Sequence, residues 1–160
     1  MDLKYDAKWQ DISNYAQYVS IPTLTLGTSL VIDYEHSLEL LAIAVESFAV
    51  SGALTQFAKA SVRRFRPRAY PGSALPLASK LRKDQTNSFF SGHSSAISTS
   101  CAFTAKVFSD YYPDSEYRSA VWASMILIAG FGSWARVEAG AHFPTDAIVG
   151  FIVGLASGWA

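Results

Sequence analysis

The chain has a single cysteine, Cys101, among its 160 residues, which excludes an internal disulfide and any paired-cysteine metal site. Charge is also scarce: Asp, Glu, Lys and Arg make up 16% of the residues, against roughly 25% in an ordinary soluble domain. Lys+Arg and Asp+Glu balance at 13 each, so no global field draws the chain to nucleic acid, and any attraction for an anion must be local. The opening stretch, Met-Asp-Leu-Lys-Tyr-Asp-Ala-Lys-Trp, alternates charge with bulk and lacks the apolar core of a secretory signal. There is no internal repeat, no low-complexity tract and no alternating strand pattern, so a βαβ arrangement has no support.

What is plentiful is apolar surface, with half of the residues hydrophobic. Apolar stretches recur at Ala16–Ile32, Leu38–Ala58, Ala96–Phe108, Ala120–Ala135 and Ala147–Ala160, each rich in helix formers or in small residues suited to close packing. This pattern predicts an all-α helical bundle, and the length predicts one domain over 1–160. Most of the stretches are too short or too interrupted to read as lipid-spanning. Glu39 and Glu46 punctuate the second, whereas a clean span needs about 20 apolar residues. The last stretch reaches Ala160 without a cap or charged tail, so a trimmed C-terminus is expected.

A long connection, Ser61–Phe90, separates the second and third stretches and carries Arg63, Arg64, Arg66, Arg68, Lys80, Arg82 and Lys83. Such length in a small domain points to a functional loop. At its start, Lys59 is followed by Arg66-Pro67, where the proline stops helical continuation and holds the arginine in an extended turn. On its own this is a solvated basic loop, or one kept cytoplasmic by its charge. At its end, Ser88-Phe89-Phe90-Ser91-Gly92-His93 leads into a helix. Glycine permits a sharp turn, and helix N-terminal amides favour an anion, so Ser91, Gly92 and His93 suit phosphate oxygens. The plainer reading makes Ser91 an N-cap.

A third cluster runs from Arg136 through His142 to Asp146. Pro144 suits the first turn of a helix, which puts His142 at its mouth and Asp146 four residues on, near the same face. That spacing allows a carboxylate–imidazole hydrogen bond. A helix-dipole role for Asp146 is the plainer account, but it leaves Arg136 unexplained.

Joined in order, Lys59-x6-Arg66-Pro67, Ser91-Gly92-His93 and Arg136-x5-His142-x3-Asp146 resemble the signature of the type 2 phosphatidic acid phosphatase superfamily, which includes class A acid phosphatases and vanadium haloperoxidases. Two positions depart from it: Phe90 stands where the family usually has proline, and Ala135 where it usually has serine. The resemblance implies a helical bundle with the site at one end and metal-independent hydrolysis of a phosphomonoester or diphosphate, with no cofactor. It makes His142 the nucleophile, Asp146 its orienter through a direct hydrogen bond, and His93 the proton shuttle. Lys59, Arg66, Ser91, Gly92 and Arg136 become the phosphate cradle. With His142 unprotonated and His93 protonated, kcat/KM should be bell-shaped in pH. His36, outside every cluster, reads as structural or exposed.

Low charge and several apolar helices favour a phosphorylated lipid as substrate and a membrane-associated place in the cell envelope, with the outward-facing site the resemblance implies. The basic connection alone would predict the cytoplasmic side. Alternatives are a soluble periplasmic acid phosphatase acting on small phosphate esters, a vanadate-dependent haloperoxidase, and an inactive phosphate-binding relative. No nucleic-acid partner is expected, and nothing in the sequence speaks to oligomeric state.

Overall fold

The computed structural model describes residues 5–73 and 75–160. The first four residues of the charge-alternating opening and the side chain of Lys83 lie outside the described residues. Helix α1 (Ala7–Ile32) starts well before the apolar stretch inside it, because Asp6 caps it: its Oδ1 accepts from the amides of Lys8 at 2.9 Å and Trp9 at 3.3 Å. A tight turn, in which His36 meets the Asp33 carboxylate at 2.8 Å, leads into α2 (Ser37–Val62). His36 is exposed there, as the sequence suggested. Glu39 and Glu46 do not interrupt α2, since both sit on its exposed face.

Arg63 ends α2 in a left-handed conformation (φ 47°). The connection that follows has short elements of its own. It holds two 3-10 turns, Pro67–Ala69 and Lys83–Thr86, and a single helical turn, α3 (Leu77–Lys80). Its two arms are tied together by Arg66 N–H to the Gln85 carbonyl at 2.8 Å and Ser88 N–H to the Arg64 carbonyl at 2.9 Å. Three longer helices complete the chain: α4 (Gly92–Tyr111), α5 (Arg118–Glu138) and α6 (Pro144–Trp159). Among the described residues there is no strand, and the chain is an all-α bundle.

Helix α4 is the axis, packed by α1, α2, α5 and α6. It is buried almost all round although rich in serine and threonine. Several of its hydroxyls bond locally, as Thr99 to the Ser95 carbonyl at 2.9 Å, or across helices, as Ser95 with Ser51 at 2.6 Å and Thr104 with Thr28 at 2.9 Å, while those of Ser98 and Ser100 are buried with no partner. Helix α6 lies on it through Gly150, Gly154 and Gly158. A Cβ at these positions would stand 2.5, 2.2 and 2.3 Å from the carbonyl oxygens of Ser91, Ser95 and Thr99, so only glycine lets the two backbones approach this closely. That contact fixes the start of α6 beside the start of α4, where Ser91 N–H donates to the Asp146 carbonyl at 3.0 Å.

The polarity of the bundle is inverted. The hydroxyl-rich helix is central, while α1, α2, α5 and α6 turn residues such as Val31, Leu38, Val45, Phe57, Leu127 and Ile152 outward. The segment Ser37–Ala69, which contains α2, and helix α5 are long and apolar enough to cross a membrane, with mean hydropathies of 1.6 and 1.4.

Candidate active site

Three stretches distant in sequence meet at one end of the bundle. Helix α5 ends in a turn at Gly140 (φ 64°), a backbone conformation that suits glycine, and the turn folds the chain back so that the amides of Ala141 and His142 donate to the Arg136 carbonyl at 3.2 and 3.3 Å. This is why five residues separate Arg136 and His142: one helix end and one reversal place both side chains in the same pocket. Arg68 N–H donates to the Gly140 carbonyl at 3.1 Å, which docks the basic connection onto this turn.

His142 is 2% exposed. Its Nδ1 lies 2.7 Å from the carbonyl oxygen of Ser88. A carbonyl can only accept, so Nδ1 carries the proton and Nε2 keeps the lone pair. The hydrogen bond expected from Asp146 is not made; the nearer carboxylate oxygen stands 3.9 Å from Nδ1. Asp146 instead takes the Ser88 hydroxyl at 2.5 Å and the Phe143 amide at 3.0 Å on Oδ2, and Arg64 Nη1 at 2.8 Å on Oδ1. The carboxylate at the third residue of α6 is thus claimed by the helix start itself, and it braces the segment whose backbone holds the imidazole. Arg64, which the sequence offered only as one arginine among several, also donates to Thr145 at 2.9 Å and lies 4.0 Å over the Phe143 ring.

Ser91 caps α4, its hydroxyl accepting from the amide of Ser94 at 3.2 Å and the Ser94 hydroxyl at 2.9 Å. The capping reading therefore describes its oxygen. The first amides of α4, on Gly92 and His93, have no preceding turn to bond. Lys59 reaches this helix start, with its ammonium nitrogen 3.2 Å from where a Cβ on Gly92 would stand. Phe90 and Ala135, the two departures, are both buried.

The cations outnumber the acids here: Asp84 stands 4.0 Å from Arg68, and Asp146 is taken up by Arg64 and by the start of α6. Lys59, Arg66, Arg68 and Arg136 all act on His93, and the first two together with Arg136 act on His142. Burial is the larger influence on each ring, and the cations add to it. His93 is pushed down to about 3, and His142 is held well below the ordinary histidine range despite the Ser88 carbonyl, which opposes the shift. Both rings are neutral at pH 7. Arg136 is 2% exposed; its Nη1 donates to Ser13 at 2.8 Å and Asn14 at 3.4 Å, while its Nε is buried with no partner. An unsatisfied guanidinium N–H in a ring of like charges is a place for an oxyanion. Among the described residues no three His, Cys, Asp or Glu side chains come together as metal ligands would.

The fold is similar to the crystal structure of Aquifex aeolicus LpxE, with a TM-score of 0.51, 19% identity, and coverage of 93% of this chain and 91% of that one. Comparison with curated proteins finds no match. The model of the PAP2 superfamily matches residues 40–160, a range that includes Lys59, Arg66, His93, Arg136 and His142, and the chain is accordingly a member of that superfamily and a phosphatase.

Proposed function

We propose that the chain hydrolyses a phosphomonoester or diphosphate of a lipid through a phosphohistidine on His142, with no metal. The observation that carries this reading is the state of His142: a neutral imidazole with Nδ1–H committed to the Ser88 carbonyl, a bare Nε2, and Arg66, Arg136 and Lys59 acting on it, while the Asp146 carboxylate stands 3.9 Å off with its bonds made elsewhere. A phosphate in the pocket would be held by the guanidinium forks of Arg66 and Arg136, the ammonium of Lys59 and the first amides of α4. Phosphoryl transfer asks mainly for such positioning and charge compensation.

In the first step Nε2 of His142 attacks phosphorus, the bond to the leaving oxygen breaks, and that oxygen takes a proton that His93 has received from the bound phosphate monoanion. The Ser88 carbonyl stabilises the imidazolium character that develops. In the second step His93 takes a proton from water, the hydroxide oxygen attacks phosphorus, and the N–P bond breaks to release phosphate and free His142. Asp146 acts one bond removed, through Ser88 and Arg64.

The lipid assignment rests on the inverted polarity of the bundle. A helix with 28% of its apolar window buried, as in α2 and α5, leaves in water the kind of surface that soluble proteins cover. Set in a bilayer, the same faces are solvated, and the pocket at one bundle end lies at the depth of lipid headgroups, on the outward side of the envelope membrane. A panel of lipid phosphates, isoprenyl diphosphates and soluble monoesters, assayed in detergent with EDTA, tests both parts. Hydrolysis of the lipids in preference to the soluble esters, unaffected by EDTA, is expected. Loss of activity on chelation contradicts the metal-free mechanism, and preference for soluble esters contradicts the lipid assignment.

A further inference from the structure

Helix α1 precedes the residues matched by the family model, yet it forms one wall of the pocket. The side-chain oxygen of Asn14 collects three donors there: His93 Nε2 at 3.2 Å, Arg136 Nη1 at 3.4 Å and Gln10 Nε2 at 3.3 Å. Ser13 takes the same Arg136 nitrogen at 2.8 Å, and Gln10 Oε1 takes Arg68 Nη1 at 2.9 Å. A guanidinium can only donate, so the Asn14 atom facing Arg136 is the amide oxygen. The same oxygen then receives His93, which requires the proton of that ring to sit on Nε2 and leaves Nδ1 bare.

The geometry points to Asn14 as a positioning residue for the reaction: its amide oxygen fixes His93 as the Nε2–H tautomer, so that Nδ1 is the nitrogen that carries the proton to the leaving oxygen, and it ties that ring to Arg136. This inference rests on the role of His93 in the proposed reaction. The two hydrogen bonds couple the proton shuttle to a phosphate-binding arginine across three helices, α1, α4 and α5. Being neutral matters. The groups facing His93 are Asn14 from α1, Lys59 from α2, Arg66 and Arg68 from the connection and Arg136 from α5, so the ring meets cations and one uncharged acceptor. An aspartate at position 14 would hold the proton on the ring and occupy the cations that phosphate needs.

Two readouts test this. In the ring-nitrogen NMR spectrum of 15N-histidine-labelled protein, wild type should show His93 as the Nε2–H tautomer, and Asn14→Ala should show a mixture; this measurement does not depend on turnover. In kinetics with p-nitrophenyl phosphate, Asn14→Ala should lower kcat about tenfold or more. Asn14→Asp should raise KM and move the alkaline limb of kcat, measured at saturating substrate, up by about one pH unit or more, because the new carboxylate favours the protonated ring. A contact that only stabilised the fold would leave both the tautomer and the limb where they were. An unchanged tautomer in Asn14→Ala, or an Asn14→Asp limb that overlays wild type, overturns the assignment. Should Asn14→Asp not fold, the Asn14→Ala tautomer decides alone. A wild type inert towards every phosphate ester, with the tautomer shift still seen, counts against the reaction and not against the contact.

Discussion

The imidazole of His142 is oriented by the backbone carbonyl of Ser88 at 2.7 Å, with the Asp146 carboxylate 3.9 Å away and bonded to the hydroxyl of that same serine at 2.5 Å. The acid that would complete a direct pair acts through an intermediary. The carbonyl sets the tautomer whether or not Asp146 is charged, and the carboxylate sets where the carbonyl stands.

Replacements along this relay should separate the two jobs. In a direct His–Asp pair, Asp→Asn costs about 10⁴-fold in kcat by imposing the wrong tautomer. Here Asp146→Asn should cost far less, about 10- to 100-fold, because the Ser88 carbonyl still fixes Nδ1–H. Ser88→Ala, which keeps the carbonyl, should lose only a few-fold. Asp146→Ala leaves Arg64, the Ser88 hydroxyl and the Phe143 amide without their acceptor and should destabilise the protein by roughly 3 kcal/mol. Kinetics and denaturant unfolding of the three variants in one detergent check this.

The pH profile follows from two neutral rings. A histidine with a depressed pKa stays uncharged until the pH falls through the lowered value, so loss of the His142 nucleophile lies well to the acid side, and His93, pushed down to about 3, is uncharged across the working range. The proton for the leaving oxygen therefore enters on the phosphate monoanion. kcat/KM should be bell-shaped with an alkaline limb set by the substrate's second ionisation, at pH ~6, and that limb should move with the substrate when esters of different acidity are compared. A limb at one pH for all substrates would assign it to the protein and contradict this.

His93 as proton donor predicts a dependence on leaving group. His93→Ala should lower kcat by about 10²- to 10⁴-fold for an alkyl phosphate, whose alkoxide leaves poorly without a proton. For p-nitrophenyl phosphate, whose phenolate needs little help, the loss should be much smaller. Equal losses on both substrates would remove His93 from that role.

How far the sequence could be read divides along physical lines. The helical bundle was legible in its apolar stretches, and the three clusters were legible because phosphate chemistry restricts which side chains serve it. The Gly140 turn and the glycines of α6 then bring those clusters together. The central place of α4 was not legible, since its many hydroxyls look like surface until their bonds to carbonyls and to neighbouring helices are seen. The Ser88 carbonyl had no signature because every residue carries one. Arg64 was hidden among neighbouring arginines. Asn14 and Ser13 were masked by the stretch of α1 around them, where a polar residue on a helix has no partner until the bundle supplies it. The backbone pairing within the connection also escaped, because it depends on which residues meet across it.

Glycine substitutions test the packing that holds the pocket together. Gly154→Ala would put a Cβ 2.2 Å from the Ser95 carbonyl and should force α6 off α4, destabilising the protein by about 2 kcal/mol or more and lowering activity with it. Gly52, in α2, meets nothing within 4 Å, so Gly52→Ala should be neutral or stabilising by about 0.5–1 kcal/mol. Thermal unfolding of both in detergent gives the comparison.

The central claim is a covalent bond between phosphorus and Nε2 of His142. Rapid quenching of enzyme mixed with 32P-labelled substrate, followed by base-stable gel analysis, measures it directly. The account predicts label that survives mild base, is lost in acid, and is absent from His142→Ala. Label that persists in His142→Ala, or turnover with no protein-bound phosphate at any quench time in a variant slowed at His93, would contradict it.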